Sequence, residues 1–254
     1  PLWLKIQKEE IQMRNLKRAL SLALAAIMLV GMMVVSASAA SYNNLTDKDE
    51  IVNKDAVSML VSLGIIEGKP DGSYGPTENV DRAQMAKMLS VIMNKGVDNS
   101  ALYQSVNSGL VDVNTNWAKG HINYCYTTGI IAGRGNGKFD PSATVTALEA
   151  AKMLLVAVGY DPAIEGFEGA DWAINVSVRA DEQGIFEGFT KDLSAPLNRD
   201  DAALLIYNAL DVEMIQSYTT NNYPIAYSDH RTILADKYGV IKVQGVVVAN
   251  EWAS

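Results

Sequence analysis

Cysteine occurs once, at Cys125, and histidine twice, at His121 and His230. A single thiol cannot form a disulfide within the chain, so core packing must hold the fold. An exported chain built this way fits the outside of a Gram-positive cell better than an animal secretion. Two histidines and one cysteine at unrelated spacing do not make a zinc site. A Ser-His-Asp device would have to use one of those two imidazoles, and neither stands in a recognisable nucleophile context. Positive charge is scarce as well. The chain of 254 residues carries 21 Lys and Arg against 29 Asp and Glu, a net charge of −8. Setting aside the first 39 residues, which hold more basic than acidic side chains, takes the body to about −11. So acidic a body argues against nucleic acid as a partner, because no basic stripe exists to neutralise phosphates. A few arginines inside a shaped pocket could still hold an anionic polymer. No cofactor motif is present: Arg134-Gly135-Asn136-Gly137-Lys138 has the wrong spacing and ending for a P-loop.

Long apolar runs are also rare. One stands out, Ala19 to Val35, with no charge in it. It follows the basic head Met13-Arg14-Asn15-Leu16-Lys17-Arg18 and precedes the small residues Ala37-Ser38-Ala39. That order reads as a secretory signal peptide over 13–39, and the expected site of the mature protein is outside the cell. A run of about 17 residues is at the short limit for a membrane span, so no stable span is expected after cleavage. Residues 1–12 are expected to be an upstream extension without function.

What the mature chain does have is internal similarity. Gly64-Ile65-Ile66-Glu67-Gly68 recurs as Gly129-Ile130-Ile131-Ala132-Gly133 and as Gly184-Ile185-Phe186-Glu187-Gly188. In the same frame Trp117 falls on Trp172 and on Val52, and Tyr74-Gly75-Pro76 falls on Phe139-Asp140-Pro141. Each copy reads as helix, loop, helix. Ala56, Met59, Leu60 and Leu63 form one apolar face in copy one; Ala202, Leu205, Ile206 and Ala209 do so in copy three. The glycine after each first helix suits a left-handed C-cap. The second helices open on Asp81/Gln84, Thr146/Glu149 and Asn198/Asp201, of which the first two resemble capping boxes and the third is a weaker version. One helix pair cannot bury both faces, whereas three copies can share a core. The expected architecture is therefore all-α: three helix-loop-helix repeats at 41–98, 109–160 and 166–211, arranged as three hairpins. Residues 212–254 are expected to begin a β-rich region that continues past Ser254, because Tyr238 to Asn250 is β-branched and reads as strand.

These repeats resemble the S-layer homology family. A family repeat has an Asp, a Trp near the first helix, a Gly-Ile-x-x-Gly turn, a Gly-x-Phe-x-Pro loop and a Thr-Arg-Ala-Glu-like start to its second helix. Copy two carries Asp112, Trp117, Gly129 to Gly133 and Gly137-Lys138-Phe139-Asp140-Pro141. Copy one carries Asp47, Gly64 to Gly68, Gly72-Ser73-Tyr74-Gly75-Pro76 and Asp81-Arg82-Ala83-Gln84; copy three carries Trp172, Gly184 to Gly188 and Asn198-Arg199-Asp200-Asp201. The resemblance implies a pseudo-threefold arrangement and non-covalent binding of a secondary cell-wall polysaccharide, in the family often one with pyruvylated sugars. It implies that grooves between repeats hold the ligand, through Arg82 and Arg199, Trp117 and Trp172, the loop glycines Gly68, Gly133 and Gly188, and Asp112. Copy one has Val52 in place of the tryptophan, and copy two has Ala147 in place of the arginine. One complete groove is expected, Arg82 with Trp117 if the pairing runs to the next repeat, Arg199 with Trp172 if it stays within one.

The chemistry suits an acidic sugar. Arginine offers a carboxylate a planar two-pronged donor, and an indole covers the C–H face of a sugar ring. Free N–H groups at a helix start would add to the pull on an anion. The bland readings stand beside these: the arginines as solvated helix-start residues, the tryptophans as core, and Asp47 and Asp112 as helix-entry caps. Cys125 and the methionines Met85, Met88, Met93 and Met153 read as core filler. The loops near Gly72 and Gly137 fail the EF-hand ligand pattern, so no metal is expected. Anchoring to the wall is the leading reading, with no catalytic residue in these repeats. An S-layer subunit that self-assembles through regions beyond Ser254 is an alternative, as is an exported polysaccharide-active enzyme with its catalytic domain there.

Overall fold

The computed structural model describes residues 41–242. The upstream extension, the signal peptide and the strand-like run from Val243 onward lie outside the described residues. Seven α-helices and one two-stranded sheet make up the described part. The first six helices are α1 (Lys54–Ser62), α2 (Arg82–Met93), α3 (Lys119–Thr127), α4 (Ala147–Val158), α5 (Trp172–Glu182) and α6 (Arg199–Ala209). They are the two helices of each copy in turn.

The local signals act as read. Asp81 with Gln84 and Thr146 with Glu149 form reciprocal capping boxes, while Asn198 accepts only from the Asp201 backbone N–H. Gly64, Gly129 and Gly184 close the first helices at φ 69°, 78° and 70°, where a Cβ would be strained. The expected face of α6 is buried throughout. In α1 the face is rotated: Ala56, Val57, Leu60 and Val61 are buried, while Met59 and Leu63 are half-buried.

The helix pairing differs from the expected hairpins. The second helix of each copy packs on the first helix of the next: α2 on α3, α4 on α5, and α6 back on α1. The connections explain this. Each loop between the helices of one copy is used to bind the helix start of the copy before it. The N–H groups of Ala83, Leu148 and Asp200 donate to the carbonyls of Pro141, Leu193 and Pro76. The turns before α2, α4 and α6 also meet directly. Val80 N–H donates to Leu197 O at 2.8 Å, Leu197 N–H to Val145 O at 2.8 Å, and Val145 N–H to Val80 O at 2.9 Å. These three bonds form a closed ring, with all three side chains buried in one continuous core. Burying each such side chain stabilises the fold by roughly 1.5–3 kcal/mol.

Asp200 holds the closing contact between copies three and one. Its carboxylate accepts from Val52 N–H at 3.1 Å, Asn53 N–H at 3.1 Å and Asn53 Nδ2 at 3.2 Å. The last segment packs at the far end of the second helices. Strands β1 (Ile215–Tyr218) and β2 (Pro224–Ala226) pair antiparallel, and α7 (Ile233–Tyr238) follows. Here the expectation needs correction. Tyr238 ends a helix rather than starting a strand, because Thr232 caps α7 and Ile233 and Leu234 are buried. Tyr238 then reaches Ile92 O at 3.3 Å. Among the described residues no helix is long and apolar enough to cross a membrane.

Candidate functional site

Arg82 and Arg199 sit at the first position of α2 and α6, and neither is a free surface side chain. Arg82 is 5% exposed. Its Nε donates to Phe139 O at 2.8 Å and its Nη2 to Ala132 O at 2.9 Å, while its guanidinium lies 4.4 Å from the Phe139 ring centre. Arg199 repeats the arrangement, with Nε to Tyr74 O at 2.8 Å, Nη2 to Glu67 O at 3.3 Å, and the Tyr74 ring at 4.7 Å. Each arginine thus fastens the two loops of the following copy. Among the described residues Nη1 of both arginines has no hydrogen-bond partner and is not fully buried, and the two side chains line grooves. Burial pushes the Arg82 guanidinium down to about 10, with the charge of Arg134 adding to the effect, so it stays cationic at neutral pH. The backbone N–H groups of both arginines are already bonded, to Ala143 O and Glu78 O. The helix starts therefore offer fewer free donors to an anion than the sequence suggested, and the side chains must supply the attraction.

Two grooves follow from this geometry. Groove 1, a cavity of about 200 Å³, is lined by Arg199 from copy three, Gly68, Lys69 and Lys87 from copy one, and Trp117 from copy two. Groove 2, about 670 Å³, is lined by Arg82 from copy one, Gly133, Arg134 and Lys152 from copy two, and Trp172 from copy three. Neither expected pairing occurs. The arginine comes from one copy, the loop from the next and the tryptophan from the one after that, so each groove draws on all three. The correction changes the count. Grooves 1 and 2 each hold an arginine and a tryptophan; of the two departures, Val52 lines a third cleft, and Ala147 lines none of the three.

The third cleft, about 340 Å³, is lined by Val52, Leu204 and Tyr207 with the start of α1. In the repeat alignment Leu204 stands where Lys87 and Lys152 do and Val52 where the tryptophans do; Ala147, aligned with the arginines, and Phe189, aligned with Lys69 and Arg134, are also apolar but do not line this cleft. Gly188 has no place among its lining residues. Trp117 is 58% exposed in the turn before α3, so it is not core; Trp172 is half-buried and packs against the core. Gly133 has a steric reason to lack a side chain, since a Cβ there would meet Lys138 O at 2.8 Å.

Asp112 lines neither groove. Its carboxylate accepts from Phe139 N–H at 2.9 Å and Asp140 N–H at 2.8 Å, and Asp47 does the same for Tyr74 and Gly75 at 2.7 Å each. Partial burial opposes these charges, but the backbone donors outweigh it and hold both carboxyls below their ordinary range. Both acids brace the loop that their arginine partner grips, and neither caps a helix through its side chain.

Four groove cations were missed in the sequence: Lys69, Arg134, Lys87 and Lys152. Their signal was present, since each pair occupies one column of the repeat alignment. They are partly balanced: Lys69 pairs with Glu78, Lys87 with Glu67 at 3.5 Å and Arg134 with Glu149 at 2.6 Å. Lys152 lies 5.8 Å from the Trp172 ring centre, and burial lowers its affinity for a proton. The arrangement can hold one anionic group against a cation cluster and cover a ring face with indole. Cys125 is buried, its thiol pushed up by burial.

Residues 44–86 and 111–151 match the S-layer homology domain. The matched segments run through the loops of both complete grooves. Similar proteins include a cell surface protein of Thermoanaerobacter kivui, 31% identical over 80% of this chain and 26% of that protein. The middle cell wall protein of Brevibacillus brevis is 27% identical over 91% of this chain and 21% of its own length. Exoglucanase XynX of Acetivibrio thermocellus is 30% identical over 62% of this chain and 15% of its length. The chain thus spans about a quarter or less of these relatives. With its S-layer homology segments and these similarities, it is a secreted protein of the cell surface and wall.

Proposed function

We propose that the three repeats anchor the chain non-covalently to the cell wall by gripping a secondary cell-wall polysaccharide, and that both complete grooves take part. In this reading residues 166–211 are a third S-layer homology-like repeat, 13–39 is the signal peptide, and the copies follow a pseudo-threefold axis through the Val80–Val145–Leu197 ring. The observation that carries the proposal is the coordinated pattern of four aligned positions. Two grooves hold Arg, Lys or Arg, Lys and Trp together, and the remaining residues aligned with these positions, Ala147, Phe189, Leu204 and Val52, are all apolar, with Val52 and Leu204 lining the third cleft. Residues kept only for packing would not be kept or lost as a set. The set suits a sugar bearing a carboxylate, such as a pyruvate ketal. Arg82 and Arg199 present Nη1, the lysines add charge, and the indoles cover the ring.

The anchor serves either of two wider roles. The cell-surface relative favours a lattice subunit, and the exoglucanase relative favours an exported polysaccharide-active enzyme. The test of the anchor is sedimentation with purified wall sacculi before and after extraction of the secondary polymer. Binding only before extraction is expected. Equal binding to both preparations would contradict the proposal.

A further inference from the structure

Behind groove 1 lies a buried polar cluster with no counterpart in groove 2. His121 on α3 is 4% exposed and its Nδ1 lies 2.5 Å from Ser90 Oγ on α2. Its Nε2 lies 3.6 Å from Asp98 Oδ2 in the connector between copies one and two. Ser90 Oγ also donates to Lys87 O at 3.1 Å, which assigns the Nδ1 proton to the histidine as donor. The imidazole stands edge-on to the Trp117 ring, centres 6.4 Å apart. His121 thus stands against Trp117, which lines groove 1, and bonds to Ser90, whose hydroxyl holds the backbone carbonyl of Lys87, another lining residue. The aligned residue behind groove 2 is Val176, which cannot titrate. Ser, His and Asp in a row suggest a nucleophile, but Ser90 is buried in the middle of α2 and lines no groove. The cluster can position and sense charge; it cannot attack a substrate.

We propose that His121 is a positioning residue for groove 1, standing edge-on behind Trp117 and making that groove, but not groove 2, bind an anionic sugar more tightly as pH falls. The inference rests on the grooves being the glycan sites. The charged groups facing the ring are Asp98 from the connector and Lys87 from α2; Trp117 in the turn before α3 and Cys125 within it carry no charge. Burial opposes protonation, with Lys87 adding to it and Asp98 working against it, so the ring is neutral at pH 7 and charges below its ordinary 6.5. On protonation the bare Nε2 takes up a proton and faces Asp98 Oδ2 at 3.6 Å as a cation, so a positive charge appears behind the groove. An anion in groove 1 favours that charge, so by linkage acid favours the anion.

The experiment has two arms. Without ligand, tryptophan fluorescence of the protein is followed from pH 8 to 5. A transition with a midpoint below 6.5 is expected, absent in His121→Gln and moved lower in Asp98→Asn, whose side chain is half exposed and removable without disturbing the core. With sacculi as the probe, Arg82→Ala/Trp172→Ala leaves groove 1 alone and Arg199→Ala/Trp117→Ala leaves groove 2 alone. The first should bind roughly threefold more tightly at pH 5.5 than at 7.5; the second should be flat. Equal pH profiles in the two variants, or a parent without a fluorescence transition, would overturn the proposal. A fluorescence transition that follows Asp98→Asn in a protein that binds no sacculi would uphold the coupling and refute the grooves as glycan sites.

Discussion

In the proposed reading Arg82 and Arg199 do two jobs with one side chain, and the jobs can be separated. Nε and Nη2 hold loop carbonyls, and Nη1, without a hydrogen-bond partner among the described residues, is the atom proposed to meet the ligand. Arg82→Ala should therefore cost on the order of 1.5–3 kcal/mol of glycan binding, and also lower the melting temperature, as read by calorimetry. Arg82→Lys should rescue little of either, because a point charge cannot span two carbonyls and still reach outward. The aspartates predict an acid limb. Asp47 and Asp112 have carboxyls held below the ordinary 3.8. Their contribution is present in full above that value and is lost as pH falls through the lowered one. Melting temperature should fall steeply below about pH 4, and Asp112→Asn should flatten that fall. The residue types of the site were legible in the sequence, since Arg82, Arg199, Trp117 and Trp172 all line grooves. Their partners were not, because alignment columns say which residues are equivalent but not which copy faces which.

At the scale of elements, helix boundaries followed from local chemistry that acts within one turn. The capping residues and C-cap glycines did what such residues do in any helix, so they could be read without the fold. Gly129→Ala should cost about 1–2 kcal/mol, since φ there is 78° and an L side chain resists it. Pairing between elements was less legible. Amphipathic periodicity shows that α1 has a buried face, yet it does not say that α6 covers it. Asp200 is the local trace of that contact, and it reads in sequence as one more acid in a helix start. Asp200→Ala should destabilise by roughly 1.5–3 kcal/mol in chemical denaturation, because two backbone N–H groups at the start of α1 lose their acceptor. Asp200→Asn should be milder, as an amide oxygen keeps part of the acceptance. The β-ribbon had a sequence signal in Thr219-Thr220-Asn221-Asn222, with Asn222 at φ 63°, flanked by residues too polar to read as strand.

Across the described residues the second helix of each copy packs on the first helix of the next, so grooves 1 and 2 each draw on all three copies, while the third cleft is lined from copies one and three. Such an arrangement leaves grooves 1 and 2 each with an arginine and a tryptophan, although Val52 and Ala147 stand at the aligned positions elsewhere in the chain. It also means that the repeats should unfold together, since no copy owns a complete helix pair. The central claim is a count of sites and their identity. Calorimetric titration of the protein with polysaccharide fragments released from sacculi measures both. Two sites are predicted for the parent, one for Arg82→Ala/Trp172→Ala, one for Arg199→Ala/Trp117→Ala, and none when the four changes are combined. A combined variant that still binds with the parent's stoichiometry and affinity would contradict the account.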